Sequence, residues 1–335
     1  MFFCNLSRTL YAGCLSATGA HCMKHKLILG LALTFAISGV ARADIDVGDQ
    51  RGNARAVMEA AGVLQGVNYK IEWHEFANAA PVLEALNSNH LDAGLLGDAP
   101  LTFAAASGVQ AKAIFASGYL GNGLIVGKDS SVRSVADLKS KKIATVKGSS
   151  GYALALQALA DAGLGEQDVQ FVFTTPAEAT LALSSGAVDA VATWEPYISF
   201  AVEQSQVRII ADGKAYPSLN YLVASDQAIA TKHAELQDFA QRLAKARQWG
   251  AANPQPYAAV IAQLLRLPDA VAQSKVTREV NLPLPDVAAI RKRQQDTIDL
   301  YLKTGLIKQH LDASSLIDAS FFTAPVTAAN EASKP

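Results

Sequence analysis

The chain repeats part of itself at a spacing of 97 residues, and this repeat constrains the fold more than any other feature. Ala79 to Pro100, "AAPVLEALNSNHLDAGLLGDAP", lies over Pro176 to Tyr197, "PAEATLALSSGAVDAVATWEPY", without a gap. Six pairs are identical: Ala80/Ala177, Ala85/Ala182, Leu86/Leu183, Ser88/Ser185, Asp92/Asp189 and Ala93/Ala190. Leu91/Val188 and Asp98/Glu195 are conservative. Alanine-rich helices resemble one another by chance, so the shared order of helix, turn, buried strand and acidic residue weighs more than the matches. Upstream the offset changes slightly. Arg51-Gly52-Asn53 follows the strand pattern Ile45 to Gly48 and opens a helix through Met58, as Lys147-Gly148-Ser149 follows Ile143 to Val146. Lys70 to Phe76 and Val169 to Thr174 are the next strand candidates. A β–α–β–α–β unit used twice predicts an α/β protein of two lobes with parallel sheets.

Ligands of open α/β sheets bind beyond the carboxyl ends of the strands, where loops feed the helices. Four corners qualify: Gln50 to Asn53, Gly97-Asp98, Gly148 to Ser150 and Trp194-Glu195. Two corners per lobe would face each other across a cleft. The first crossing between lobes is expected between Tyr119 and Val126, and the return near Ser218 to Ala224. Helical patterns then run over Ala228 to Ala252, Tyr257 to Leu265, Asp269 to Val280 and Asp286 to Thr304, with too few strands for a third sheet. The expected division is lobe 1 from 44–124 and 225–325, lobe 2 from 125–224, and a polar tail at 326–335.

Near the N-terminus, Lys24-His25-Lys26 precedes the apolar run "LILGLALTFAISGV" (Leu27 to Val40) and then Ala41-Arg42-Ala43. A basic start, a short apolar core and small residues before a cut after Ala43 read as a secretory signal peptide over 23–43. The run is too short to span a bilayer, which takes roughly 20 residues. The mature chain should begin at Asp44 and be exported. Residues 1–22 precede a natural start at Met23 and have the look of a mis-assigned start. All three cysteines (Cys4, Cys14, Cys22) lie there, so thiolate metal sites, disulfides and thiol nucleophiles are excluded from the mature chain. Four of the 29 basic residues also precede Asp44, leaving 25 against 30 acidic ones. A mildly acidic chain without basic runs argues against nucleic acid and anionic membrane surfaces, so an anion would be held by local geometry.

Such geometry is offered by "VKGSSG" (Val146 to Gly151). The first turn of a helix leaves backbone N–H groups unsatisfied and carries partial positive charge. Glycine admits a ligand to the backbone, and hydroxyls either cap the helix or donate to an anion. Ser149 and Ser150 are open to both roles, and Lys147 to a solvated one. Gly52-Asn53 is built alike. Trp194 stands at the repeat position of Gly97 and is either a core residue or an apolar plate for a ligand. Asp98 and Glu195 adjoin Pro100 and Pro196 and are either helix-start acids or ligand groups. Arg51 could neutralise an anion or be solvated. Gln50 completes its corner. His74, His90, His233 and His310 show no metal-ligand spacing, and there is no G-x-S-x-G elbow. No cofactor, metal or catalytic residue is expected.

Taken together, "GDQRGN" (Gly48 to Asn53), "VLEALNSNHLDAGLLGDAP" (Val82 to Pro100), "SVADLKSKKIATVKGSS" (Ser134 to Ser150), "TPAEATLALSSGAVDAVATWEPY" (Thr175 to Tyr197) and "NYLVAS" (Asn220 to Ser225) make the chain resemble a family. It is that of the periplasmic substrate-binding proteins of ABC importers for aliphatic sulfonates, related to those for taurine and nitrate. The resemblance implies a bilobal, type II periplasmic-binding fold that closes on a small organic anion and delivers it to a membrane permease. It implies a monomer with no chemistry of its own, with Gln50, Gly97, Asp98, Ser149, Ser150 and Trp194 lining the pocket. The chain departs from the aliphatic sulfonate pattern at Tyr152, where that pattern has histidine, and at Glu195, where it has aspartate. Taurine, nitrate, bicarbonate and sulfate esters are alternative ligands, and a thiamine-pyrimidine-type biosynthetic enzyme is the alternative of a different class.

Overall fold

The protein, seen in a computed structural model, is described over residues 43–204 and 207–322. The expected signal peptide and the tail at 326–335 lie outside these residues.

Two five-stranded sheets are built on one plan. In the first, β1 (Ile45–Gln50) lies between β2 (Ile71–Phe76) and β3 (Ala93–Gly97), all parallel. The helices α1 (Ala54–Ala60), α2 (Ala79–Asn87) and α3 (Asp98–Ala106) follow these strands in turn, and β4 (Ala111–Tyr119) comes next. In the second, β6 (Lys142–Thr145) lies between β7 (Gln170–Phe173) and β8 (Ala190–Trp194). These strands are followed by α4 (Ser150–Asp161), α5 (Pro176–Ser184) and α6 (Tyr197–Glu203), and then by β9 (Val207–Asp212). The identical pair Asp92/Asp189 does one job twice. Asp92 accepts from the Asp46 amide at 2.8 Å and Asp189 from the Lys142 amide at 2.9 Å, pinning the start of β3 to β1 and of β8 to β6.

The sheets are not purely parallel as expected. After β4 the chain passes directly into the second sheet as β5 (Asn122–Gly127), antiparallel to both β8 and β9. After β9 it returns as β10 (Ser218–Ser225), antiparallel to β3 and β4. Each sheet therefore receives one strand from the other half of the chain. β4 runs the same way as β3 and so ends at the carboxyl edge of its sheet. From there a link as short as residues 120–121 delivers the chain to the carboxyl edge of the second sheet, and β5 must run against β8. This pairing also moves the expected boundaries. Residues 218–224, assigned to the second lobe, form the strand between β3 and β4 of the first, and Asn122 to Leu124 belong to the second sheet.

The C-terminal helices cover the first sheet on both faces. On one side, beyond the short α7 (Asp226–Thr231), Leu236, Phe239 and Leu243 of α8 (His233–Ala252) and Ile261 of α9 (Pro254–Leu265) pack with Ile45, Val47 and Val57. Next to them lies α10 (Asp269–Arg278), whose Val271 and Ala272 join the same cluster. On the other side, Ile290, Ile298 and Tyr301 of α11 (Val287–Lys303) pack with Val82, Leu86 and Leu101. The second sheet is covered more thinly, by Leu154 and Leu159 of α4 on one face and by Ala179, Leu183 and Ile198 on the other. Among the described residues no helix is long and apolar enough to cross a membrane.

Candidate functional site

A cavity of about 310 Å³ lies between the carboxyl ends of the two sheets. It is lined by Gln50, Arg51 and Asn53 after β1, by Gly97 at the end of β3, by Lys147 to Ser150 at the mouth of α4, and by Trp194 and Glu195 after β8. Eight of the nine residues expected at the site are thus brought to one cavity.

The mouth of α4 is built by a turn that only glycine makes easily. Gly148 has φ +75°, and a Cβ there would stand 2.7 Å from the Phe103 ring of α3. Ser149, buried and extended, accepts from the Tyr152 amide at 3.1 Å as the helix N-cap. As its oxygen is the acceptor in that bond, its own proton stays available to a ligand in the cavity. The Ser150 hydroxyl stands where a side chain on Gly97 would have to go, so the two lobes touch here because residue 97 has none. Lys147 sits at the rim with its ammonium 5.7 Å from the centre of the Phe173 ring.

The mouth of α1 differs. Asp49 accepts from the amides of Gln50, Ala54 and Arg55 at 2.9, 3.1 and 2.9 Å, so its own carboxylate caps that helix. Burial pushes the Asp49 carboxyl up to about 6, against the pull of those amides and of Arg247. Asn53 is turned aside: its Oδ1 accepts from Arg247 and, at 3.2 Å, from Asn220. Gln50 donates to the Leu95 carbonyl at 3.0 Å, and the exposed Arg51 donates to the Leu265 carbonyl at 2.5 Å.

Asp98 is the exception among the expected residues. It does not line the cavity. Its carboxylate lies behind the wall, where it accepts from the amides of Ala99 and Leu219 and from the Thr297 hydroxyl, at 2.9, 3.3 and 3.1 Å. Burial raises it to about 6. The helix-start role it shared with Glu195 as an alternative is the one it fills, and it also ties α3 to β10 and α11. Tyr152 too stays outside the lining. It is fully buried, bonds Glu166 at 2.7 Å and packs edge-on against Phe171 and Phe173.

Glu195 fills the helix-start role at the edge of the cavity, with its side chain fully buried. One carboxylate oxygen accepts from the Ser199 amide at 3.2 Å, capping α6, yet the residue lines the cavity. Burial pushes its carboxyl up to about 7. Trp194 meets Tyr197 edge-on at 6.0 Å, and both line the cavity. Asn78, Phe103, Tyr119, Asn122, Asn220 and Glu279 complete the walls. Asn122 and Asn220 sit in segments that the sequence marked only as crossings, at the starts of β5 and β10. Glu279 arrives from the end of α10, where nothing in the local sequence signals a site. It pairs there with the fully buried Lys275 and lies 3.9 Å from Arg247.

A cleft between two α/β lobes, walled by strand ends and one open helix mouth, defines a protein that encloses a small molecule between its lobes. Among the described residues, no group of three histidine, cysteine or acidic side chains could hold a metal ion. The family model described as ABC transporter, phosphonate, periplasmic substrate-binding protein matches residues 51–253. The chain belongs to the periplasmic substrate-binding proteins of ABC transporters. It is 31% identical, over 83% of its length and 90% of the relative's, to an aliphatic sulfonates-binding protein of Escherichia coli (strain K12). The alkanesulfonate-binding protein SsuA from Xanthomonas axonopodis pv. citri, solved bound to MOPS, superposes with a TM-score of 0.74 at 28% identity, covering 82% of this chain and 97% of that one. The desulfurization enzyme DszB shares the fold alone, with a TM-score of 0.63 at 15% identity over 84% of this chain and 98% of its own.

Proposed function

We propose that the chain captures an aliphatic sulfonate in the periplasm and presents it to the permease of an ABC importer. The observation that carries this reading is the mouth of α4, where Gly148, Ser149 and Ser150 line the cavity at the positive end of a helix twelve residues long. A sulfonate offers three acceptor oxygens and one negative charge, which backbone N–H groups, hydroxyl protons and a helix dipole suit. Trp194 with Tyr197 supplies the apolar wall for the organic tail, Gln50, Asn53 and Gly97 shape the opposite side, and Arg51 and Lys147 hold positive charge at the rim. Glu195 borders the remaining end with its carboxylate buried. Similarity to sulfonate-binding relatives supports the same ligand class.

The reading has no chemical step in it. The chain carries no cysteine after Cys22, and no serine at the site has a histidine beside it in the cavity wall. Ligand recovered unchanged after incubation and denaturation is the expected outcome, and a product would turn the reading towards the enzymes that share this fold.

The test is thermal unfolding of protein expressed from Asp44, stripped of ligand by denaturation and refolding, against butanesulfonate, sulfate, nitrate and bicarbonate. Ligand at 100 times its dissociation constant stabilises the native state by about 2.7 kcal/mol, a readable shift in midpoint. A shift with butanesulfonate alone is expected. A shift with nitrate or bicarbonate instead would replace the ligand class and leave the cleft in place.

A further inference from the structure

Behind the cavity wall, Glu195 and Arg278 face each other from different lobes, close to the hinge. Glu195 follows β8 of the second sheet, and its amide donates at 3.0 Å to the carbonyl of Gly121, in the first link between the lobes. Arg278 ends α10, which packs on the first sheet through Val271 and Ala272 and also lies against α6 of the second lobe. The returning link runs beside the first: the Gly213 amide donates to the Asn122 carbonyl at 3.0 Å, and a Cβ on Gly213 would stand 2.3 Å from the Leu120 carbonyl oxygen. A groove beside this hinge is walled by Leu120, Glu203 and Asp212 on one side and by Ser274 and Arg278 of α10 on the other.

The pair is unfinished. Glu195 Oε2 accepts from the Ser199 amide, while Oε1 is buried and has no hydrogen-bond partner. Arg278 Nε stands 3.9 Å from Oε1. A charge-assisted hydrogen bond takes roughly 2.7–2.9 Å, so the gap is about 1 Å. A buried acceptor without a donor is costly, and a buried carboxylate without close counter-charge more so. Burial accordingly pushes the Glu195 carboxyl up to about 7. The other titratable groups that face it are Lys275 and Glu279 of α10 and Tyr119 of β4, and Lys275 is already committed to Glu279. Arg278 is partly exposed and has room to move. Each member of the pair is also joined in sequence to a residue of the cavity wall, Glu195 to Trp194 and Arg278 to Glu279. Motion that draws those walls onto a ligand draws the pair together.

We propose that Glu195 and Arg278 are a latch between the lobes. Closure on a ligand brings the guanidinium onto Glu195 Oε1, and the completed pair holds the lobes shut; opening returns the guanidinium to the hinge-side groove and to water. The latch touches no ligand, so it serves whichever anion the cleft holds.

The test reads the distance between the lobes. Protein expressed from Asp44 has no cysteine, so Glu84→Cys and Leu181→Cys, at exposed positions of α2 and α5, take one spin label each. Double electron–electron resonance at pH 8 compares this chain with the same chain carrying Glu195→Gln, Arg278→Gln or both, without ligand and with butane-1-sulfonate. In at least one of these conditions the ratio of the short-distance form to the long-distance form should fall at least about fivefold in each single variant. The double variant should lose no more than the larger single loss, because its second change removes a pair already broken. At pH 5.5 the Glu195 carboxyl is protonated, and the otherwise unaltered chain should match Glu195→Gln, which itself should not respond to pH. The same distance distribution in all four chains under both conditions overturns the latch, as do single losses that multiply in the double variant. If butane-1-sulfonate does not bind, the unliganded chains decide the latch by themselves, and only the sulfonate reading falls.

Discussion

The mouths of α1 and α4 are repeat copies of each other, and they do opposite things. Gly52 and Gly148 adopt nearly the same conformation, φ +77° and +75°, and each delivers the chain to a helix start. At α1 the residue three before the glycine is Asp49, whose carboxylate takes the free amides of the first turn. At α4 the corresponding residue is Thr145, whose hydroxyl donates at 2.9 Å to the Ala192 carbonyl within its own sheet. One mouth is thereby filled by an anion of the protein itself, and the other opens on the cavity. The same turn serves as a structural cap or as a place for an external anion, depending on a single side chain on the preceding strand.

The strongest way to break this contrast is Thr145→Asp. It should close the mouth of α4 as Asp49 closes that of α1, and place like charge against the ligand. Sulfonate affinity should fall at least about a hundredfold, roughly 2.7 kcal/mol, while circular dichroism shows the fold retained. Unchanged affinity would mean that the α4 mouth is not the anion site.

The two glycines allow a matched pair. In Gly52→Ala a Cβ would meet the end of the Leu265 side chain at 2.6 Å, and in Gly148→Ala the Phe103 ring at 2.7 Å. Both force alanine to positive φ and should lower stability by about 1 kcal/mol or more. Only Gly148→Ala should also weaken sulfonate binding, by about tenfold, which is about 1.4 kcal/mol. Equal affinity losses in urea-matched titrations would erase the distinction between the mouths.

Ser149→Ala should cost about 1 kcal/mol of stability through loss of the cap on Tyr152. Its affinity loss should be smaller than that of Thr145→Asp, since the backbone amides remain. An affinity unaffected by the change would assign Ser149 to capping alone.

The unliganded protein should also show a pH dependence. Burial raises the carboxyls of Asp49 and Asp98 to about 6 and of Glu195 to about 7 in the folded state, above the ordinary carboxylate range of the unfolded chain. The folded state therefore binds these protons more tightly. The resulting stability is fully present below the unfolded values and is lost as pH rises through about 6 to 7. Melting points should fall between pH 5 and pH 8. Glu195→Gln should remove the uppermost part of that fall and leave the part due to Asp49 and Asp98.

The sequence was legible where one residue acts on its own neighbours. The glycine and serine at the α4 mouth are local events within one turn of chain. The repeat extended this reach, because two copies of one pattern report a shared architecture that neither copy shows alone. β4 and β9 went unplaced. "AKAIFASGY" is alanine-rich and apolar without a clear period, and such short runs fit a strand or a buried helix equally. The repeat also proved to conserve shape beyond function. Asp98 and Glu195 occupy equivalent positions and both bury their carboxylates, Asp98 against Thr297 of α11 and Glu195 against the Ser199 amide, yet only Glu195 is a residue of the cavity wall.

By itself the sequence determined the alternation of strands and helices, the doubling of the unit, the four corners and the helix mouth at Ser149, since each depends on residues close along the chain. Tertiary structure decided the rest. It set the antiparallel entry of β5 and β10, the arrival of Glu279 and Arg247 from the C-terminal helices, and the self-capping of α1. Each of these depends on side chains that are distant in sequence and meet only when the sheets and helices have packed, and local spacing carries no record of such meetings.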